Sequence, residues 1–345
     1  MNRLVFVTQQ IDPAHPTLGA ATAKVRALSA RLDEVVVLAA RAVPDALPDN
    51  ARFESFAAST QVERGLRFES ALVSELARGR PCAVLAHMSP IFAVLAAPLA
   101  RPLGVPVLLW FTHWKASRLL RLAERASSVV LSVDATTFPI PSPKLVAAGH
   151  GIDVDSFDCT APPGGPVLRL VSLGRYSRAK GLSAVIRAVG RARAEGVEVR
   201  LDVHGPEAVQ DDAVHREELE RLVAELRLDD AVSLGGALPR EDVPAALAGA
   251  DALVNNMRPG AADKVVFEAC AACRPAFAAA HAFAALLPDS LRFPSDDDDV
   301  LAQRLVEFAR LREAERRDLG IGLRERVRAE HSADHWADRV LEAAS

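Results

Sequence analysis

The sequence predicts an α/β protein made of two doubly wound parallel-sheet domains. Three observations predict it. The chain has 345 residues, which at roughly 100–200 residues per domain is about two domains. Short β-rich runs alternate with helical patterns, which is what parallel strands require, because each needs a crossover to reach its neighbour. The alternation breaks once, at the Pro- and Gly-rich stretch Thr160–Pro166, and then restarts, as expected of two similar domains joined by a linker.

In chain order, the first series reads as a strand at Leu4–Thr8, a helix at Ala20–Arg31, a strand at Glu34–Leu38 and a helix near Arg67–Ala77. Residues 81–100 contain no Asp, Glu, Lys or Arg. Three prolines, His87 and Ser89 interrupt that run, so it reads as a buried βα unit, with a strand at Ala83–His87 and a helix at Ile91–Ala97, rather than as a membrane span. A strand at Val105–Phe111, a helix at Ser117–Ala126 and a strand at Ser128–Ser132 follow. The second series gives strands at Leu168–Leu173, Val197–His204, Val232–Leu234, Ala252–Asn255 and near Phe277. Its helices fall at Leu182–Ala194, Arg216–Leu226, Val243–Ala248 and Lys264–Cys273, and the last 45 residues are helical. The run Asp296–Asp299 precedes an apolar helical segment, where carboxylates meet the free N–H groups of a helix start, so it reads as a cap rather than a metal site. The domains are expected at 1–160 and 161–345, with the option that the last helices, about 331–345, pack back on the first domain.

Composition narrows the function. Half of the residues are hydrophobic, a quarter are charged, and the chain has 19 Gly and 22 Pro, so it is neither disordered nor fibrous. The net charge of −4 argues against a protein wrapped in nucleic acid. That sum divides unevenly: residues 1–150 hold 16 Lys and Arg against 11 Asp and Glu, and the remainder 25 against 34, which is +5 and −9. An anionic partner is therefore expected at the first half. The four cysteines, with no signal peptide before the strand-like start, suit a reducing, cytoplasmic compartment. Cys270 and Cys273 have no second Cys or His pair at zinc-finger spacing; they read as two small core residues one helical turn apart, with redox or metal chemistry as the lesser reading.

Candidate chemistry gathers in the second half. After the strand ending at Leu173 comes Gly174-Arg175-Tyr176-Ser177-Arg178-Ala179-Lys180-Gly181. Glycines at both ends let the backbone approach a ligand, and Arg175 and Lys180 supply two cations, a combination suited to a diphosphate. Further on, the loop Gly260-Ala261-Ala262-Asp263 opens the helix that carries Lys264 and Glu268. Its N–H groups form an anion site, Asp263 is a plausible N-cap, and Glu268, among apolar neighbours, needs a hydrogen-bonding partner such as a sugar hydroxyl. Lys264 stands four residues before Glu268, so it either reaches phosphate or forms an ion pair with Glu268. In the first half, His113 ends a strand, where α/β sheets place ligands, and His87 ends another. The helix after Trp114 carries Lys115, Arg118, Arg121 and Arg125 beside Leu119 and Leu122. This is either a solvated face or a surface for an anionic membrane.

Taken together and in order, these segments resemble the retaining glycosyltransferases of family 4, which have the GT-B fold of two Rossmann-like domains facing across a cleft. Gly174-Arg175 through Lys180-Gly181 resembles the family's Arg and Lys pair for the donor diphosphate, and Val203-His204-Gly205-Pro206-Glu207 its G-P-E turn. Gly149-His150-Gly151-Ile152-Asp153 with Phe157 is similar to the segment entering the linker, and Val232-Ser233-Leu234-Gly235-Gly236 to the run before the A-D-v strand. The resemblance implies that Arg175 and Lys180 neutralise the leaving diphosphate in place of a metal, that His113 faces the donor sugar, and that Glu268 binds the ribose hydroxyls. It further implies donor contacts at Gly260, Ala261, Ala262, Asp263, Lys264, Gly19, Gly205 and Leu234. Two positions depart from the family: Gly260 stands where the first Glu of its acidic pair belongs, and Leu18 where the first glycine of the first βα loop belongs.

The function implied is a metal-independent, retaining glycosyltransferase with no cofactor, its donor a nucleotide diphosphate sugar. The acceptor would be a hydroxyl of a glycan, a lipid-linked saccharide or a small molecule, with no nucleic-acid partner and with a peripheral membrane contact through the first domain as an option. Gly260 keeps open a catalytically weakened sugar-nucleotide-binding protein, and a GT-B epimerase or hydrolase is a further alternative. The first βα turn lacks G-x-G-x-x-G, which argues against an NAD-dependent dehydrogenase.

Overall fold

In the computed structural model, residues 2–15, 19–258, 260, 262–279 and 281–345 are described. The chain forms two compact units, Met1–Asp153 with Glu330–Ser345, and Val154–Ala329. The Pro- and Gly-rich stretch at Thr160–Pro166 lies just inside the second unit and contains no helix or strand.

The first unit contains β1 (Arg3–Val7), β2 (Gln10–Ile11), α1 (Ala20–Ser29), β3 (Glu34–Ala39), β4 (Arg41–Ala42), β5 (Ala51–Ser55) and α2 (Gln61–Ala77). It continues with β6 (Ala83–His87), α3 (Pro90–Ala100), β7 (Val107–Trp110), α4 (Arg118–Ala126), β8 (Val129–Ser132) and β9 (Leu145–Ala147). Seven strands make one parallel sheet in the order β5-β3-β1-β6-β7-β8-β9. Every residue of β1 and β6 is buried, as befits central parallel strands covered on both faces. Val5, Val36, Val84 and Leu109 of the sheet pack against Phe68 and Leu72 of α2, Phe92 and Ala96 of α3, and Leu120 of α4. The charge-free run 81–100 is the βα unit expected. Thr60 and Ser117 cap α2 and α4, accepting from the N–H groups of Glu63 and Leu120. At the end of β6, the buried His87 ring lies parallel to Trp110, with Lys24 of α1 seated 3.3 Å from the centre of the indole.

The second unit contains β10 (Leu168–Leu173), α5 (Leu182–Ala194), β11 (Val199–His204), α6 (Gln210–Glu225), β12 (Val232–Gly235) and α7 (Val243–Ala248). Then follow β13 (Ala252–Asn255), α8 (Lys264–Ala271), β14 (Ala276–Ala278), α9 (Asp298–Ala309) and α10 (Glu313–His331), whose last residues belong to the first unit together with α11 (Ala333–Ala344). The sheet is parallel, in the order β12-β11-β10-β13-β14. Strand order therefore reverses between β10 and β13, and the loops leaving their carboxyl ends open the crevice in which such sheets bind ligands. The Asp run caps α9: Asp297 accepts from the Val300 N–H at 2.9 Å, and Asp298 pairs with Arg187 and Arg191.

The cysteines differ from expectation. Cys273 is joined to Cys159, 114 residues earlier, while Cys270 stays a buried free thiol. Helical spacing placed Cys270 and Cys273 on one element, but α8 ends at Ala271 and Cys273 turns out of it with φ +58°, so its sulfur meets the segment that enters the unit. The same segment is held by Arg274, fully buried, whose guanidinium donates to the carbonyls of Thr160, Ala161, Leu247 and Ala248.

Candidate functional site

The loop from Gly174 to Gly181 leaves β10 at the switch point, and the segment 256–263 leaves β13 beside it. What brings them together is polar. Lys180 donates to the Leu173 carbonyl at 3.0 Å and to the Asp263 carboxylate. Asp263 Oδ2 also accepts from Asn255 Nδ2 at 2.9 Å. Asn256 donates to the Gly181 carbonyl and to Asp296, each at 2.9 Å. Lys180 runs past Gly174, whose φ of +129° is one that L side chains rarely adopt, and that is the physical reason for glycine at this turn.

Asp263 occupies the N-cap position of α8 but makes no side-chain cap hydrogen bond, which corrects the expectation drawn from its place in sequence. Its carboxylate turns to Lys180 and Asn255 instead. Burial pushes its pKa up, but the Lys180 charge and the hydrogen bonds from Lys180 and Asn255 outweigh that and hold it below the ordinary value. Lys180 is thus a partly buried cation with a built-in counter-charge, its side chain 11% exposed. Arg175, 52% exposed, points to solvent with Asp212 at 3.9 Å. Arg178 in the same loop is taken up by Glu218 in a bidentate pair at 2.7 and 2.9 Å.

Glu268 is 1% exposed, and its Oε1 receives Arg240 at 2.6 Å and Lys264 at 3.2 Å. The ion pair of Lys264 with Glu268 is present. Arg240 also lies over the Phe157 ring at 5.8 Å. Glu268 Oε2 is buried with no hydrogen-bond partner among the described residues, an acceptor that a ligand hydroxyl would satisfy.

The remaining expected residues fall as follows. Gly260 has φ +88° and Ala262 is buried beside Asp263; Ala261 and Leu18 lie outside the described residues. Gly205 packs so closely on the Gly174 carbonyl that a Cβ would collide with it, and the Pro206 carbonyl accepts from the Tyr176 N–H at 3.3 Å, so the G-P-E turn buttresses the Arg175 loop. Leu234 sits in β12, its carbonyl accepting from Arg216 at 2.8 Å. Gly19 precedes α1, where a Cβ would collide with the Pro13 and His15 carbonyls. His113, in the first unit, is exposed after β7; its Nδ1 accepts from the Lys115 N–H at 3.0 Å and its ring stacks on Trp114. Asn255, Asn256 and Arg240 were not singled out in the sequence. The first two carried a signal, two polar residues closing an apolar strand run at the edge where ligands bind, whereas Arg240 had none.

Residues 168–310 match the model of the family described as glycosyl transferases group 1. A Salmonella typhimurium protein described as a putative colanic acid biosynthesis glycosyltransferase, WcaL, is 26% identical over 183 residues, which is 50% of this chain and 43% of that protein; the match thus spans less than half of that relative. Among solved structures, the sucrose-phosphate synthase of Thermosynechococcus elongatus superposes with a TM-score of 0.74 at 18% identity over all of both chains. The Anabaena protein HepE, in complex with UDP and glucose, gives 0.75 at 14% identity over 99% of both chains. A glycosyltransferase of Rickettsia africae gives 0.78 at 12% identity over 99% of this chain and 97% of that one. The chain therefore has the GT-B fold of glycosyltransferases, and residues 168–310 of its second unit are similar to the glycosyl transferases group 1 family.

Proposed function

We propose that the protein is a retaining glycosyltransferase that takes a sugar from a nucleotide diphosphate donor and gives it to an acceptor hydroxyl, without a metal. The observation that carries this reading is the meeting of Lys180, Asp263 and Asn255, with Arg175 on the same loop, at the point where strand order reverses in the second unit. The bond between the sugar carbon and the phosphate oxygen breaks with its electron pair left on that oxygen. Lys180 and Arg175 would stabilise the growing charge, an effect of several kcal/mol in such sites. The acceptor oxygen bonds to the same carbon, and its proton passes to the departing phosphate. Glu268 would accept from the ribose through Oε2 once Arg240 and Lys264 yield to the ligand.

The Anabaena protein HepE, described in complex with UDP and glucose, supports a nucleotide sugar as the donor class. We assign the acceptor to the first unit, where α4 shows a lipid-compatible face: Leu119 and Leu122 are exposed beside Arg118, Arg121 and Arg125. Among the described residues no helix is long and apolar enough to cross a membrane, so such contact would be peripheral. Gly260 favours one second reading, a sugar-nucleotide-binding protein with weakened transfer. Incubation with UDP-glucose, GDP-mannose or ADP-glucose, with release of nucleoside diphosphate as the readout, separates the two. Arg175→Ala and Lys180→Ala should each lower release by at least about a hundredfold, and full activity in both variants would refute the site assignment.

A further inference from the structure

Asp263 is at the mouth of α8 and does not cap it. A residue at that position ordinarily turns its oxygen to the N–H groups of the first turn; here Oδ2 is committed to Lys180 and to Asn255 Nδ2. Asn255 is itself fixed, 2% exposed, with Oδ1 accepting from the Met257 N–H at 3.3 Å. The aspartate is thus built into the strand end and aimed at the cation.

We infer that Asp263 is a positioning residue that keeps Lys180 from spending its charge on the bound donor and releases it to the leaving phosphate. The inference rests on reading this site as the diphosphate site. In the donor, the phosphate beside Lys180 competes for the ammonium with a full carboxylate charge. As the bond between the sugar carbon and the phosphate oxygen breaks, that oxygen keeps the electron pair, so the phosphate gains one unit of negative charge. The acceptor oxygen takes the sugar carbon and its proton goes to the phosphate. Lys180, shared at first, shifts to the group that has become more negative. Only an interaction that is stronger in the transition state than in the ground state raises the rate of the chemical step, and a counter-charge behind Lys180 makes its interaction unequal in that sense. Gly260 and Asp263 lie in one loop, three residues apart, so this loop still brings a carboxylate to the site although position 260 has none.

The test compares the full chain with Asp263→Asn, Lys180→Ala and Asn255→Ala by calorimetric titration with UDP, GDP and ADP and with UDP-glucose, GDP-mannose and ADP-glucose, and by nucleoside diphosphate release from the same three donors. Asp263→Asn should bind the intact sugar nucleotide about tenfold more tightly, the scale of one charge-assisted hydrogen bond, with a smaller gain for the nucleoside diphosphate. Its KM and kcat should fall together, leaving kcat/KM nearly unchanged, the signature of removed ground-state destabilisation. Asn255→Ala, which loosens Asp263, should shift both quantities in the same direction by less, and it serves if the aspartate variant does not fold. Lys180→Ala should weaken binding. Binding of the sugar nucleotide by Asp263→Asn that is equal to or weaker than that of the parent, with its thermal midpoint unchanged, overturns the inference and leaves the donor site standing if Lys180→Ala still weakens binding. No binding of any of the three nucleotides to the parent chain overturns the donor reading and the inference with it.

Discussion

Gly205 shows how one residue fixes the candidate site through a backbone contact. Its Cα faces the Gly174 carbonyl at a distance that leaves no room for a methyl group, so the G-P-E turn and the Arg175 loop share one backbone contact. Gly205→Ala should cost about 1–3 kcal/mol, the range for overpacking, and should weaken nucleotide binding along with stability. Urea unfolding and titration of the same variant check both, and an unchanged unfolding midpoint would contradict the contact. At this scale the sequence was partly legible. Arg175 and Lys180 stand out because two cations between glycines after a strand suit a diphosphate. The role of Asp263 was misread because its position in the chain names a cap, while its partner Lys180 is 83 residues away. Arg240 could not be read at all: its meaning comes from Glu268, 28 residues on and in another element.

Elements were easier to read than contacts. Strands buried on both faces appear as apolar runs, and β6 and α5 coincide with the spans read from sequence. The three-residue β9 and the five-residue β5 escaped, being edge strands with at most partial burial. Strand β5 also carries Arg52 and Glu54, which spoil its hydrophobic signal. Helix α4 keeps its basic stripe in the structure: Leu120 and Ala123 face the core, and Leu119 and Leu122 stay exposed. If that face docks on membranes, Arg118→Glu together with Arg121→Glu should abolish cosedimentation with vesicles containing anionic lipid. About 1 kcal/mol per basic residue would be lost, and more through repulsion. The parent chain should bind such vesicles at low salt, and equal pelleting of parent and variant would dismiss the membrane role.

For the whole molecule, the linker composition marked the change from one α/β series to the next within a few residues, because Pro and Gly interrupt both periodicities. It said nothing of Cys159 meeting Cys273, since that depends on chain return, whereas the last helix was read as an option for the first unit, where it lies. Stability should also depend on pH. Burial, with the nearby His335 second, pushes the His331 pKa down to about 4, and burial likewise lowers that of His87. An unfolded histidine titrates near 6.5, so between that value and about 4 the unfolded chain binds more protons than the native one. Stability is then complete above about pH 6.5 and falls on acidification, by about 3 kcal/mol for His331 alone; His331→Gln should reduce the fall in urea midpoints from pH 7 to pH 4, leaving the part due to His87. The central claim is that the second unit holds a nucleoside diphosphate at the β10–β13 switch point. Amide hydrogen exchange of the intact protein with and without UDP, GDP and ADP tests it most directly. At least one nucleotide should slow exchange in residues 174–181, 204–207 and 262–268. Protection confined to other segments, or absent with all three, would contradict it.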